Sequence, residues 1–184
     1  MIVCFLAEGF EEAEALVTVD VLRRAGIEVV TAAVGAKNST EVTGSHGITV
    51  KADINAESLK PSVDTEGIIL PGGIPGTPNL EGDETVGEFI SYSHENGKLI
   101  AAICAAPSIL GKRGLLKGKR VTAYPGYESE LKGADYTALP AVSDGNVITG
   151  KGAGAVFEFA SEIVKYFKGD TVCEKLRGGM QCAR

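Results

Sequence analysis

The sequence predicts an α/β domain built on a mainly parallel sheet with helices over both faces. Short apolar, β-branched runs alternate along the chain with segments whose apolar residues recur at helical spacing. Parallel strands need long crossover connections, which such helices supply. Three of the strands also run directly into loops rich in acidic, glycine or small residues: Ala7 to Glu14, Pro71 to Gly76 and Cys104 to Pro107. Ligands gather at the carboxyl edge of sheets of this kind. The chain of 184 residues is of a size for one compact domain, read as residues 1–184.

The elements follow in order. Ile2 to Leu6 is an apolar run with Glu8 close behind and no basic residues before it, which predicts a first strand and not a signal peptide. From Phe10 to Ala25 the period changes, with Ala13, Leu16, Val17 and Val21 on one stripe. Acidic residues open this segment (Glu11, Glu12, Glu14), Arg23 and Arg24 close it, and Gly26 follows, as a helix dipole and a glycine cap require. Ile27 to Ala33 reads as the second strand, and Val42 to Ala52 as a short strand pair turning through Gly44-Ser45-His46-Gly47. Gly67 to Leu70 and Leu99 to Ile103 are buried strands, with a helix from Thr85 to Asn96 between them. A helix is predicted over Ala106 to Leu116, an extended piece over Arg120 to Ala123, and a tight hairpin at Asp144-Gly145. The last helix spans about Ala155 to Phe167, with Val156, Ala160, Ile163 and Phe167 on one face.

Composition excludes several classes. Lys plus Arg total 18 against 24 Asp plus Glu, a formal charge of −6 with no basic stripe, so nucleic acid and anionic membranes are poor partners. No apolar run approaches the roughly 18 residues of a membrane span. Four cysteines, Cys4, Cys104, Cys173 and Cys182, form no CxxC pair, and only His46 and His94 are available to help them bind zinc, so no metal site is expected. These features point to a cytoplasmic protein with reduced thiols, acting on small molecules or proteins.

The chemistry concentrates at Ala101-Ala102-Ile103-Cys104-Ala105-Ala106-Pro107. A strand ends, a cysteine appears and a helix begins, with small residues Ala102 and Ala106 where backbones must approach closely: the layout of a nucleophile elbow. A helix N-terminus beside the thiol favours thiolate. Pro71-Gly72-Gly73-Ile74-Pro75-Gly76 also follows a strand, and its glycines allow inward-facing N–H groups to hold an oxyanion or carboxylate. It lacks the Lys-Ser/Thr ending of a nucleotide-binding P-loop. A carboxylate from Glu8, Glu11, Glu12 or Glu14, held against the thiol, would have its pKa raised and serve as a general acid/base. Spacing alone does not choose among the four.

These residues carry a resemblance. Ala7 to Glu14, Val19 to Gly26, Leu70-Pro71-Gly72-Gly73, Ala101 to Pro107 and Gly150-Lys151-Gly152-Ala153-Gly154, leading to Phe157-Glu158-Phe159-Ala160, together make the chain similar to the ThiJ/PfpI superfamily, on the branch of the Parkinson-disease protein deglycase. The resemblance runs from Ile2 to about Gly169. It implies a flavodoxin-like three-layer α/β/α sandwich, of the class I glutamine amidotransferase-like kind, usually a homodimer. It also implies Cys104 as the oxidation-sensitive nucleophile, Glu14 as its partner carboxylate, and the amides of Gly73 and Ala105 as the oxyanion hole. Gly72, Tyr124 and His46 are the remaining pocket candidates. Tyr124, in Thr122-Ala123-Tyr124-Pro125, stands where members with a catalytic-looking histidine carry it. His46 matches a basic position near the family's dimer interface, which would bring it toward a partner's site.

The leading expectation is a cysteine-dependent enzyme acting on reactive dicarbonyls or glycation adducts, whether small-molecule carbonyls or glycated proteins, as a deglycase or glutathione-independent glyoxalase without metal or organic cofactor. An oxidation sensor or redox-regulated chaperone is the alternative, since a thiol beside a protonated carboxyl is suited to reversible oxidation. A peptidase or amidase is weaker, because the histidine is missing.

Overall fold

A computed structural model describes residues 1–36 and 39–182. In chain order its elements are β1 (Ile2–Ala7), α1 (Glu12–Arg24), β2 (Val29–Val34), β3 (Glu41–Thr43), β4 (Thr49–Lys51), β5 (Ile54–Asn55), β6 (Gly67–Leu70), α2 (Gly76–Gly82), α3 (Glu84–Glu95), β7 (Leu99–Ile103), α4 (Pro107–Lys112), β8 (Arg120–Val121), β9 (Asp135–Tyr136), β10 (Ala141–Asp144), β11 (Val147–Gly150), α5 (Val156–Lys168) and α6 (Asp170–Gly179). The main sheet has the order β10-β11-β7-β6-β1-β2-β5. All its neighbours run parallel except the β10–β11 hairpin at one edge. This is the flavodoxin-like arrangement.

Alternation along β1 divides the core in two. Ile2, Cys4 and Leu6 face a layer containing Val19 and Leu22 of α1 and Phe159, Ile163 and Val164 of α5. Val3, Phe5 and Ala7 face the opposite layer, with Phe89 and Ile90 of α3 and Ile109 of α4. Phe5 and Phe89 meet edge to face at 5.3 Å. Both faces are covered, so β1 reads as an unbroken apolar run.

Two expectations need correction. The helix predicted over Ala106 to Leu116 is only Pro107–Lys112, because Gly114 adopts φ 75° just past the Arg113 cap and the chain turns away. The last predicted helix is followed by another, α6, which begins after Gly169 (φ 81°) and packs Cys173 and Leu176 against the α5 side of the core. The Asp144-Gly145 signal holds: β10 and β11 pair from Asp144 to Val147 across Gly145 (φ 62°).

The strand order reverses between β1 and β6: from β1 the chain steps one way to β2 and then returns to place β6 on the other side. The crevice above the carboxyl ends of β1, β6 and β7 is therefore where a ligand site is expected.

Candidate active site

Each of those three strands contributes one part. After β1, Gly9 turns with φ 79° and Glu11 caps α1, its carboxylate accepting the Ala13 N–H at 3.4 Å. That sets Glu14 in the first turn with its side chain buried at the sheet edge. After β6, the Gly72 N–H donates to Glu14 Oε2 at 2.8 Å, and the Gly72 carbonyl accepts the Glu11 N–H at 3.0 Å. After β7, Cys104 occupies φ 66°. A non-glycine residue there carries strain of about 1–3 kcal/mol, so its surroundings must hold it. They do: the Cys104 N–H donates to the Gly150 carbonyl at 2.9 Å and its own carbonyl accepts the Tyr124 N–H at 2.8 Å. This is the elbow the sequence predicts.

Cys104 and Glu14 share a hydrogen bond across Gly72. A methyl group on Gly72 would lie 2.7 Å from both Cys104 Cβ and Glu14 Oε2 and 3.1 Å from Sγ, closer than atoms pack. Gly72 is thus the bare floor on which acid and thiol meet. Gly72→Ala is expected to separate them and lower turnover about 100-fold. The check is a kinetic assay beside a melting curve: a variant that melts near the wild-type temperature and keeps full turnover contradicts this geometry.

Burial pushes the Glu14 carboxyl up to about 7; hydrogen bonds from Cys104 and the Gly72 and Ala153 amides oppose the rise, and the charge on Glu11 adds to it. Burial, then the charge and hydrogen bonding of ionised Glu14, push the Cys104 thiol up to about 12, while the Ala105 and Gly73 N–H groups pull it down. The expectation that a helix N-terminus lowers the Cys104 thiol is therefore corrected. The helix has only 6 residues, and the Ala105 and Gly73 N–H groups are what pull the thiol down. Because the acid and thiol are coupled, protons leave the pair and not either residue alone. Between about pH 7 and 12 the pair holds one negative charge. The Ala105 and Gly73 N–H groups lower the cost of moving that charge from Glu14 to the sulfur, a transfer that leaves the proton on Glu14.

Gly73 and Ala105, the two expected oxyanion donors, both point their N–H groups at the Cys104 sulfur. Tyr124 is tied to Cys104 through its backbone, and its ring passes over Gly152, 3.3 Å from where a Cβ would stand. His46 is placed differently. It is 69% exposed and its Nδ1 lies 2.9 Å from Glu12 and 3.2 Å from Glu11, so within this chain it braces the β3–β4 turn against α1 and does not join the thiol. Hydrogen bonds from the His46 side chain and from the His46 and Ile48 amides overcome the effect of burial and hold Glu12 at about 2. Glu11, Glu12 and His46 bring a ligand atom each within 4.8 Å of one another, and the three already satisfy each other. The sequence reading missed the role of Gly152-Ala153, whose backbone lies against Glu14. Its available signal was the run of small residues directly after an apolar strand.

The other cysteines are placed apart from this chemistry. Cys4 is inside β1, fully buried, its thiol pushed up to about 12 by burial. Cys173 is buried, its thiol facing the Ser161 carbonyl at 3.6 Å, whereas Cys182 is partly exposed. Limiting iodoacetamide is expected to label Cys104 first, then Cys182, and to reach Cys4 and Cys173 only on unfolding, as read by peptide mass spectrometry. Faster labelling of Cys182 would sink the idea of an activated Cys104.

The sequence profile of the DJ-1/PfpI family matches residues 1–166. The chain belongs to that family. It is 35% identical over 181 residues to the protein dj-1beta of Drosophila melanogaster, covering 97% of this chain and 95% of that one. It is 32% identical over 165 residues to a deglycase of Pyrococcus abyssi, covering 88% and 96% of the two chains. Its fold superimposes on the oxidized DJ-1 of Toxoplasma gondii with a TM-score of 0.93 at 29% identity, covering 100% of this chain and 98% of that one. The family resemblance and fold read from the sequence are thereby established. No described helix is long and apolar enough to cross a membrane.

Proposed function

We propose that this DJ-1/PfpI protein is an enzyme that uses Cys104 to convert reactive 2-oxoaldehydes, free or as adducts on proteins, into 2-hydroxy acids. The observation that carries the reading is the meeting of the Cys104 sulfur and the buried Glu14 carboxyl over the bare Gly72 backbone, with the Gly73 and Ala105 N–H groups beside the sulfur. The Cys104 thiolate adds to the aldehyde carbon, forming a C–S bond while the oxygen takes a proton and becomes a hemithioacetal hydroxyl. Glu14, freed of its proton in that step, removes the hydrogen on the same carbon and returns it to the neighbouring carbonyl carbon. The hydroxyl proton of the first carbon passes to the oxygen of the second, so that the first carbon stands as a thioester and the second as an alcohol. Water adds to the thioester, the C–S bond breaks, and the hydroxy acid leaves with the thiol restored. The two carbons exchange oxidation level, so no external oxidant or reductant is needed. Developing negative charge on oxygen in the addition and hydrolysis steps falls within reach of the Gly73 and Ala105 N–H groups. The name of the Pyrococcus relative supports a deglycase reading of the same chemistry. The direct test is production of lactate from methylglyoxal by the purified protein without glutathione.

A second reading, an oxidation sensor, is favoured by one observation: the Toxoplasma neighbour was solved oxidized. A protonated Glu14 beside Cys104 suits a sulfinic acid as well as a thiolate. A peptidase gains no support, since Tyr124 offers no base to the thiol. We also propose a homodimer, consistent with Leu16 of α1, which remains 38% exposed; a single species of ~19 kDa in sedimentation would reject it.

A further inference from the structure

Beside the acid–thiol pair the molecule has a second space. A cleft of ~570 Å³ is bounded by Tyr124 and Pro125 on one side, Pro140 on another, and the loop from Lys151 to Ala155. Its shared wall with the reactive centre is Gly152-Ala153: the Ala153 N–H reaches the Glu14 carboxyl, and Gly152 lies about 4.0 Å from Glu14 Oε1 measured at its would-be Cβ. The walls are mostly apolar, and Lys151 is the one cation among the residues that line it. Lys151 is half-buried, its backbone N–H is fixed on the Pro140 carbonyl at 2.9 Å, and among the described residues no carboxylate lies within ion-pairing distance of its ammonium group. Glu158 also lines the cleft but forms no ion pair with Lys151, and it repels an anion from its own end.

An unpaired ammonium beside apolar walls, in a chain of net charge −6, is a place where an organic anion gains more than a neutral molecule of the same shape. Resting on the proposed carbonyl chemistry, we infer that Lys151 forms a subsite for a carboxylate at the far end of the substrate. The favoured substrate class is then 2-oxoaldehydes that carry a terminal carboxylate a few carbons from the reacting aldehyde. With 4,5-dioxopentanoate the balance is that of the general reaction: aldehyde and ketone carbons exchange oxidation level, one water is consumed, and 2-hydroxyglutarate is released. Lys151 takes no part in those bond changes. It is a specificity residue, acting on KM.

The experiment compares 4,5-dioxopentanoate with its neutral counterpart 2-oxohexanal and with methylglyoxal, on the wild type, Lys151→Gln and Lys151→Arg. Lys151→Gln is expected to raise KM for the carboxylate substrate about fivefold, the order of one partly exposed ion pair, while leaving the two neutral substrates unchanged. Lys151→Arg is expected to retain the preference, and added salt to weaken it in the wild type. Equal KM for the charged and neutral five- and six-carbon substrates on the wild type, or an equal loss on all substrates in Lys151→Gln, overturns the subsite. Absence of turnover on every substrate instead overturns the proposed reaction. Binding is then read alone, as slowing of Cys104 alkylation by 2-hydroxyglutarate but not by 2-hydroxyhexanoate. That protection must vanish in Lys151→Gln, and its absence in the wild type rejects the subsite.

Discussion

Cys104→Ser is expected to abolish conversion of methylglyoxal to lactate, with kcat/KM falling by about 10⁴-fold or more, while the protein stays folded. The loss is large because a serine hydroxyl in the same place has no means of ionising. The Gly73 and Ala105 N–H groups lower a thiol that starts near 9, but an alcohol starts far higher, and Glu14 is a weak base for it. The fold is preserved because the strained φ of 66° is held by backbone hydrogen bonds to Gly150 and from Tyr124, neither of which involves sulfur. The assay measures lactate enzymatically alongside a thermal melt. Retention of more than about a tenth of the wild-type rate would place the nucleophile elsewhere, and a loss of rate accompanied by unfolding would require Cys104→Ala as a second variant. The same pair of proteins separates the two readings of function. An enzyme loses turnover; a sensor with no turnover to lose shows only the disappearance of its peroxide-induced mass shift.

The sheet was legible because its strands are covered on both faces and so appear as uninterrupted apolar runs, as in Ile2–Ala7 and Leu99–Ile103. Cys104 was legible because a nucleophile elbow needs small residues around it, and Ala102, Ala105 and Ala106 supply them. Its partner was not. Four glutamates leave β1 within seven residues, and which one meets the thiol depends on the entry angle of α1, set by the Gly9 turn and by Gly72 and Gly73, more than 55 positions further along the chain. Only the resemblance singled out Glu14. Helix α2 went unseen because Gly76, Pro78 and Gly82 are poor helix formers, and tertiary contact overrides them: Gly76 packs directly on the Gly9 carbonyl and Phe10. The placement of His46 against Glu12 was hidden for a similar reason, since hairpin tip and helix start meet only in the folded chain. Lys151 stood out in the sequence only as part of the Gly150-Lys151-Gly152-Ala153-Gly154 run, because an unpaired cation is defined by what surrounds it.

Glu14→Gln is expected to leave the thiolate titration of Cys104 close to wild type while reducing turnover at least about 100-fold. The amide still donates a hydrogen bond to sulfur but no longer accepts and returns a proton between adjacent carbons. Thiolate absorbance against pH decides the microscopic question. If the single charge of the coupled pair sits on sulfur, absorbance rises near pH 7 in the wild type; if it sits on Glu14, little appears below about 12. Glu14→Asp is expected to hurt both readouts, since a carboxyl one carbon shorter falls away from the thiol across the Gly72 floor. Stability gives an independent sign. The folded pKa of Glu14, about 7, lies above its ordinary 4.5, so the stabilising effect of its protonated form is complete below pH 4.5 and lost as pH rises to 7. That loss is about 3 kcal/mol from the size of the shift. Glu14→Gln has no such titration, so relative to wild type it should gain melting temperature on going from pH 4.5 to pH 8. An unchanged difference across that range would mean that Glu14 is already ionised at pH 4.5 in the folded protein. Full turnover in Glu14→Gln would remove its acid/base role and leave the sensor reading the stronger of the two.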